Sequence, residues 1–419
     1  METLLEDAKS TNTQFSLKSL PFDFGSYTSR AENIPESLPF SLTVDQDSGL
    51  ICQVLSDELR EALKHYYLLG GYGSTPLGEG EYGMAQGEYM LNAVLYFLSM
   101  KHRDVSDLKF LEIGASYGYL LHSLHKMGAR EVLGVEPGEE GINGSSQYSV
   151  PMIRDFFPTT KLNNKKFDVI LSHCMLEHVE DPLTMFSEMF KVTEFGGYIF
   201  FAVPDCEPKM SIADLSIISH QHINYFTKES IRNLLEAAGF TDVGVMTSAK
   251  RAILFGWGTR PLKPVETFST NQGKNPSTSN TLFSQFSKSC MANIAAIQKL
   301  VDKFEAEGKS IGLYAPDPNV AGLIKYAKPP RIFNRDVIKH GKYVVKFAGP
   351  FESPEVLIEN PVDVLFVAPV DYDSEIREDL KMKGIPSSTL IVSLKEIYEE
   401  QSGMKYLIDS FSGSDEFVL

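Results

Sequence analysis

The stretch Phe110-Leu111-Glu112-Ile113-Gly114-Ala115-Ser116-Tyr117-Gly118 decides how this chain folds. A short apolar run of strand length breaks into small residues and then into a segment, 118–127, with helical spacing. Glycine in such a turn lets the backbone approach a ligand. A helix beginning there presents unpaired N–H groups and the positive end of its dipole. Downstream, Val132-Leu133-Gly134-Val135-Glu136-Pro137 reads as a second strand closed by an acid. It lies about one strand–helix–strand step on, where an acidic group serves ribose hydroxyls.

Outward from this nucleus, strands and helices alternate. Residues 167–172 and 198–203 read as strands, 183–192 and 228–238 as helices, the latter closed by Gly239, and 243–245 and 252–257 as the last strands. Such alternation predicts a mainly parallel, doubly wound α/β sheet covered on both faces. Before it, the chain to about residue 50 is rich in Ser, Thr, Pro and Phe without a clear period and reads as an irregular arm or small cap. A helix over 56–68, a Gly-rich loop over 70–87 carrying Tyr72, Tyr82 and Gln86, and a helix over 89–100 follow. After it, 263–279 turns to Pro, Thr, Ser, Asn and Gly, and a long amphipathic helix, 281–307, opens a second alternation that predicts another Rossmann-like unit. The expected division is a cap with its loop, 1–87; a core, 88–262; a linker, 263–280; a second α/β unit, 281–402; and a polar tail, 403–419.

Composition narrows the function. The 419 residues hold 55 acidic against 39 basic side chains, a formal charge of −16, with no basic block. That balance argues against tracking a nucleic-acid backbone and for a small-molecule substrate. No apolar run has the length of a membrane span, and the acidic, polar amino terminus lacks the layout of a signal peptide, so a cytoplasmic protein without membrane partners is expected. The four cysteines, Cys52, Cys174, Cys206 and Cys290, are widely separated. They form no CxxC pair, and neither a disulfide framework nor a metal site is expected.

The loop itself separates cofactors. A dinucleotide fingerprint is GxGxxG, whereas this loop reads ExGxSxG, with its carboxylate on the strand before the first Gly. Glu112 would repel a pyrophosphate and suits a sulfonium and an amino-acid ammonium. Further on come Phe167-Asp168-Val169-Ile170-Leu171-Ser172-His173, then Leu176-Glu177-His178-Val179-Glu180-Asp181-Pro182, and finally Gly196-Gly197 leading to Pro204. With these segments the sequence resembles the class I S-adenosylmethionine-dependent methyltransferases, whose first motif is usually (D/E)xGxGxG; Ser116 takes the place of a Gly. The resemblance implies that Glu112, Gly114, Ala115, Ser116 and Gly118 form the methionine-side loop, and that Glu136, with Pro137 behind it, holds the ribose. Asp155 sits where such enzymes contact adenine, and reads equally as a solvated loop acid. His173 should border the methyl donor. Glu177 and His178 read as structural or cofactor-adjacent, and Asp181-Pro182 as an N-cap and first-turn pair.

One more segment carries chemistry: Ser219-His220-Gln221-His222-Ile223-Asn224-Tyr225-Phe226, before a helix that Thr227 can cap. Two histidines at i and i+2 can supply a base near neutral pH, or can merely satisfy backbone groups in a half-buried loop. Taken with the overall organisation, this segment resembles that of the three-domain sugar C-methyltransferases, in which a zinc-binding cap, a methyltransferase core and a Rossmann-like domain follow one another and the motif reads roughly YHEHxxYF. The resemblance implies a nucleotide-linked keto-sugar substrate and His222 as the base that forms an enolate, with His220 and Tyr225 beside it. Ser219 and Gln221 depart from the motif's Tyr and Glu, and Asp45-Gln46-Asp47-Ser48-Gly49 stands where the family has CxxCG, so no zinc is expected in the cap. Three readings follow: C-methylation of such a sugar; O- or N-methylation of a polar small molecule or glycan precursor; or a silent scaffold that keeps the fold alone.

Overall fold

The structure, a computed structural model, describes residues 8–10, 14–22, 26–27, 35–68, 76–248, 252–263, 276–344 and 349–406. Its centre is a seven-stranded sheet. We label its strands β1 (Lys109–Ile113), β2 (Glu131–Val135), β3 (Met152–Ile153), β4 (Phe167–His173), β5 (Thr193–Pro204), β6 (Thr241–Thr247) and β7 (Ile253–Thr259). They lie in the order β6-β7-β5-β4-β1-β2-β3, with β7 antiparallel to both neighbours and the other described pairs parallel. The side chains explain the two covered faces. Leu111, Ile113, Ile199 and Phe201 enter one core cluster, while Phe110, Phe200 and Ala202 enter the other. Alternate residues of one strand feed opposite faces, as a pleated strand requires.

Helix boundaries follow local chemistry. Asp181 accepts a hydrogen bond from the Thr184 amide at 2.9 Å, and Pro182 opens the helix Pro182–Val192. Thr227 and Ser230 form a reciprocal cap on Lys228–Ala237, a pairing that satisfies two orphan donors. The helix over 80–100 is longer than the expected 89–100. Gly80–Met100 is one helix, so residues 80–87 of the expected Gly-rich loop are helical. Tyr72 lies outside the described residues.

The amino-terminal region is a folded sheet rather than an irregular arm. Gln14–Pro21, Ser37–Val44 and Ile51–Gln53 pair antiparallel, and the fifth strand of the sheet is Asn224–Tyr225, with Tyr225 opposite Ile51. Ser37–Val44 buries every second side chain; Ser and Thr at the intervening positions masked this alternation in the sequence.

The second α/β unit has five parallel strands in the order Phe351–Glu352, Arg331–Phe333, Ile311–Tyr314, Val364–Val367, Leu390–Ser393. A 30-residue helix, Ser277–Ala306, leads into it, so the last residues of the expected linker are helical; 264–275 lie outside the described residues. A further helix, Leu394–Ser402, ends at Gly403, and the tail beyond 406 is outside the described residues. One hydrophobic cluster runs from Phe15 and Phe40 of the amino-terminal sheet through Phe283 and Phe286 of the long helix to Leu313 and Phe366.

The crevice where a Rossmann unit would receive a nucleotide is closed. Lys209, from the helix Cys206–Ser211 that follows β5, reaches Asp371 at 2.9 Å and Asp214 at 3.7 Å. Asp371 follows the strand Val364–Val367, and Asp317, which caps the helix after Ile311–Tyr314, adds its charge to the same group. Asn319 at that helix start donates to the Leu215 carbonyl at 3.2 Å and to that of Ile218.

Candidate functional site

A cleft of about 610 Å³ opens at the carboxyl ends of β1, β2 and β4, the usual ligand edge of an open α/β sheet. Its walls include Glu112, Gly114, Ala115, Ser116, Gly118, Glu136, Pro137, Asp155, His173 and His222 of the sequence expectation, together with Glu177 and His178.

At one end lies the turn after β1. Gly114 has φ +73° and Gly118 φ +81°, the left-handed region that an L side chain rarely enters. A Cβ on Gly114 would come within 2.8 Å of Met175 Cγ, and one on Gly118 within 2.6 Å of Met152 Cε. Ser116, in place of the usual Gly, also takes a positive φ, +46°. Its amide donates to Glu136 Oε2 at 2.9 Å, and the Gly138 amide donates to Oε1 of the same carboxylate at 2.9 Å. Glu136 thus ties the loop after β1 to the loop after β2.

Glu112 is 2% exposed, and its Oε2 has no hydrogen-bond partner among the described residues. Burial, with the nearby charge of Glu136, pushes its carboxyl up to about 8. A buried, unpartnered carboxylate beside a second one is costly by itself and is relieved by a cation. A sulfonium with an α-ammonium supplies such charge, so the residues present fit S-adenosylmethionine: Glu112 faces positive charge and Glu136 takes hydroxyls. Asp155 lines the cleft but is engaged locally, accepting from Thr159 Oγ1 at 2.7 Å and lying 3.2 Å from Lys161 Nζ, with its pKa lowered chiefly by these bonds. His173 closes β4, its Nε2 3.5 Å from Cys174 Sγ.

The other end is built by two segments stitched together. The turn Leu176–His178 follows β4, and Asn224 Nδ2 donates to the carbonyls of Leu176 at 3.0 Å and Val179 at 2.7 Å. The Ile223 amide donates to the Glu177 carbonyl at 2.7 Å. His178 Nδ1 lies 2.7 Å from the Gln221 carbonyl; a carbonyl only accepts, so Nδ1 carries the proton. The rings of His178 and His222 stand 5.3 Å apart. Burial, followed by the charges of His178 and Lys209, pushes His222 down to about 3, and burial lowers His178 too, so both are neutral at pH 7. Glu177 is 2% exposed and its carboxyl is raised to about 8 by burial.

The remaining members of the expected set are elsewhere. His220 is fully buried, stacked on Phe22 at 5.8 Å and against Phe40 at 5.6 Å, with its ring nitrogens 3.2 Å from Gln53 Oε1 and the Leu20 carbonyl. It faces the amino-terminal sheet, not the cleft. Tyr225 accepts from the Ser219 amide at 3.1 Å and lies 3.3 Å from the Ser219 carbonyl, closing the loop on itself. Gln53 was not singled out in the sequence. Its Nε2 faces the carbonyls of Ser219, His220 and His222 at 3.4, 3.0 and 3.3 Å, and no local motif announces contacts so distant along the chain.

Comparison with known proteins bears on the same region. Residues 85–245 match the family described as a methyltransferase domain. Ubiquinone biosynthesis O-methyltransferase of Aliivibrio fischeri is 31% identical over 107 residues, covering 22% of this chain and 43% of that protein. The mitochondrial enzyme of the same name from Dictyostelium discoideum is 25% identical over 119 residues, covering 24% of this chain and 36% of the relative. The chain thus spans less than half the length of these relatives. Among solved structures, magnesium protoporphyrin IX methyltransferase from Synechocystis PCC 6803, with bound SAH, is 15% identical, with a TM-score of 0.37, over 48% of this chain and 99% of that one. The matched residues contain the turn after β1, the acid ending β2 and the post-β4 segment, and we conclude that 85–245 is a class I S-adenosylmethionine-dependent methyltransferase domain.

Proposed function

We propose that this protein methylates a hydroxyl oxygen of a small polar acceptor, and that removal of the hydroxyl proton depends on His222. The observation that carries the reading is the continuity of the cleft: one cavity joins the Glu112 and Glu136 end to the Glu177, His178 and His222 end. The charged donor belongs at the first end, which places the acceptor at the second. When bound, S-adenosylmethionine would supply an electrophilic methyl group to the acceptor oxygen, whose O–H proton would leave by way of His222. Glu112 would hold the donor's positive charge and Glu136 its ribose, at a turn where Met175 lies against Gly114. Relatives named as O-methyltransferases support oxygen as the acceptor atom.

A second reading, C-methylation of a nucleotide-linked keto sugar, draws support from the match of His222, Tyr225 and Phe226 to the sugar-enzyme motif. Two observations weigh against it. Gln221 replaces the acidic residue that would support an imidazolium, and the crevice of the second α/β unit is filled by Lys209 among carboxylates, which would repel a diphosphate. Incubation with methyl-labelled donor and parallel panels of hydroxylated aromatics, free sugars and nucleotide-linked keto sugars tests both, with NMR locating the label. A label on oxygen that disappears in His222→Ala is the expected result. A label on carbon, or an unimpaired His222→Ala, overturns the proposal.

A further inference from the structure

The acceptor end of the cleft collects three donors of metal-binding type. Glu177, His178 and His222 each bring one ligand atom to within 4.8 Å of the others, and His178 Nε2 is 3.8 Å from Glu177 Oε1. Because His178 Nδ1–H donates to the Gln221 carbonyl, the lone pair lies on Nε2 and is aimed at the group. A backbone carbonyl fixing the far nitrogen of an imidazole is the outer-shell arrangement typical of metal-ligating histidines. Glu177 Oε2 is buried without a hydrogen-bond partner among the described residues. A carboxylate oxygen in that position costs free energy unless something meets it. No hydrogen bond to the His222 ring is made among the described residues.

The supporting structure is also that of a built site. Glu177 and His178 sit on the turn that Asn224 and Ile223 clamp, and His222 on the loop whose carbonyls Gln53 gathers. An ion shared by the three would draw their ligand atoms together from separations of up to 4.8 Å.

We propose that Glu177, His178 and His222 bind a divalent first-row transition-metal ion, with its remaining positions open to the cleft. The donor set selects the ion: two imidazoles and one carboxylate suit zinc, iron, cobalt or nickel, whereas magnesium and calcium prefer all-oxygen sets. Three protein ligands leave a position for an outside oxygen. The inference rests on the reading of this end as the acceptor site and deepens it, because a hydroxyl reaching such an ion gives up its proton to solvent near neutral pH. His222 then acts by coordination. Residues 177–178 and 222 make no spacing motif in the sequence and are brought together by the contacts of Gln221, Ile223 and Asn224 with the turn after β4.

The test uses full-length protein dialysed against EDTA and titrated with zinc chloride by calorimetry, and with cobalt(II) by visible absorption. One equivalent should bind, with cobalt bands in the visible. Glu177→Gln and His222→Ala should each weaken binding at least ~100-fold, since even outer-shell partners are worth ~10–100-fold. Circular dichroism and S-adenosylmethionine binding report that each variant is folded; Glu177→Gln, nearly isosteric, is the safeguard should His222→Ala fail to fold. Absence of stoichiometric binding, or binding unaltered by both substitutions, overturns the metal site. If no ion binds and His222→Ala still abolishes transfer, the proposed function stands with His222 as a direct base. If transfer survives His222→Ala, the functional reading falls whatever the metal result.

Discussion

The side-chain amide of Gln53 lies 3.3 Å from the backbone carbonyl of His222, binding the amino-terminal sheet to a loop that lines the cleft. Gln53 is 5% exposed and gathers two further carbonyls of that loop. Replacing it with Leu keeps the volume and takes this donor from the His220 and His222 carbonyls, at a cost of ~1–3 kcal/mol. Gln53→Leu should therefore lower the denaturation midpoint and reduce kcat for methyl transfer while leaving calorimetric affinity for S-adenosylmethionine unchanged. Unaltered kcat would show that the loop holds His222 without Gln53.

Glu112 makes donor binding depend on pH. Its carboxyl titrates near 8 in the ligand-free protein, so it is mostly protonated at pH 6.5. A cation favours the ionised form, and affinity for S-adenosylmethionine should rise between pH 6.5 and 8 with release of a proton. Calorimetry in buffers of different ionisation enthalpy measures that release, and Glu112→Gln should abolish both the release and the pH slope.

The same shift bears on stability. Glu112 and Glu177 have folded pKa values raised above the ordinary carboxylate value of 4.5, to about 8. Their contribution is full below 4.5 and is lost as pH rises through about 8, because the native state holds protons that the unfolded chain has released. His220 and His222, with lowered pKa values, work in the opposite direction only below 6.5. Ligand-free protein should thus become less stable from pH 6.5 to 8, by up to roughly 1.4 kcal/mol per pH unit for each carboxyl. Urea midpoints across this window, flattened in Glu112→Gln, check the sign.

Gly114→Ala should destabilise for two separable reasons. The left-handed φ of +73° costs ~1–2 kcal/mol for a residue with a Cβ, and that Cβ would lie 2.8 Å from Met175 Cγ. Adding Met175→Ala should recover only the steric part, which thermal denaturation of the single and double variants would show.

Lys209→Met removes the cation from the buried group of Asp214, Asp371 and Asp317, and should destabilise by ~3–5 kcal/mol. A second change, Asp371→Asn, should return part of that loss by removing a stranded charge.

The donor end was readable because its signals are local. A strand, a small-residue turn and a following helix are contiguous from Phe110 onward, and Glu136 ends the very next strand. The acceptor end was read less well. His220 and His222 are two residues apart, which in an extended strand would put them on one face. The chain bends at 220 and 221, and only His222 turns to the cleft. Glu177 and His178 read as structural or cofactor-adjacent, since nothing near them in sequence shows that His222 arrives opposite. The strand Ser37–Val44 is hidden in the sequence because Ser, Pro and Thr stand between its buried side chains, residues that also mark loops.

Because Tyr225 pairs with Ile51, the amino-terminal sheet cannot be completed while the chain is still short. At ribosomal speeds of ~5–20 residues per second, the edge at Ile51–Gln53 waits on the order of ten seconds or longer for its partner strand. An open edge is a place where nascent chains join one another. Crowded synthesis should therefore yield chains that trade this strand, and slowing initiation should favour the correctly closed monomeric unit.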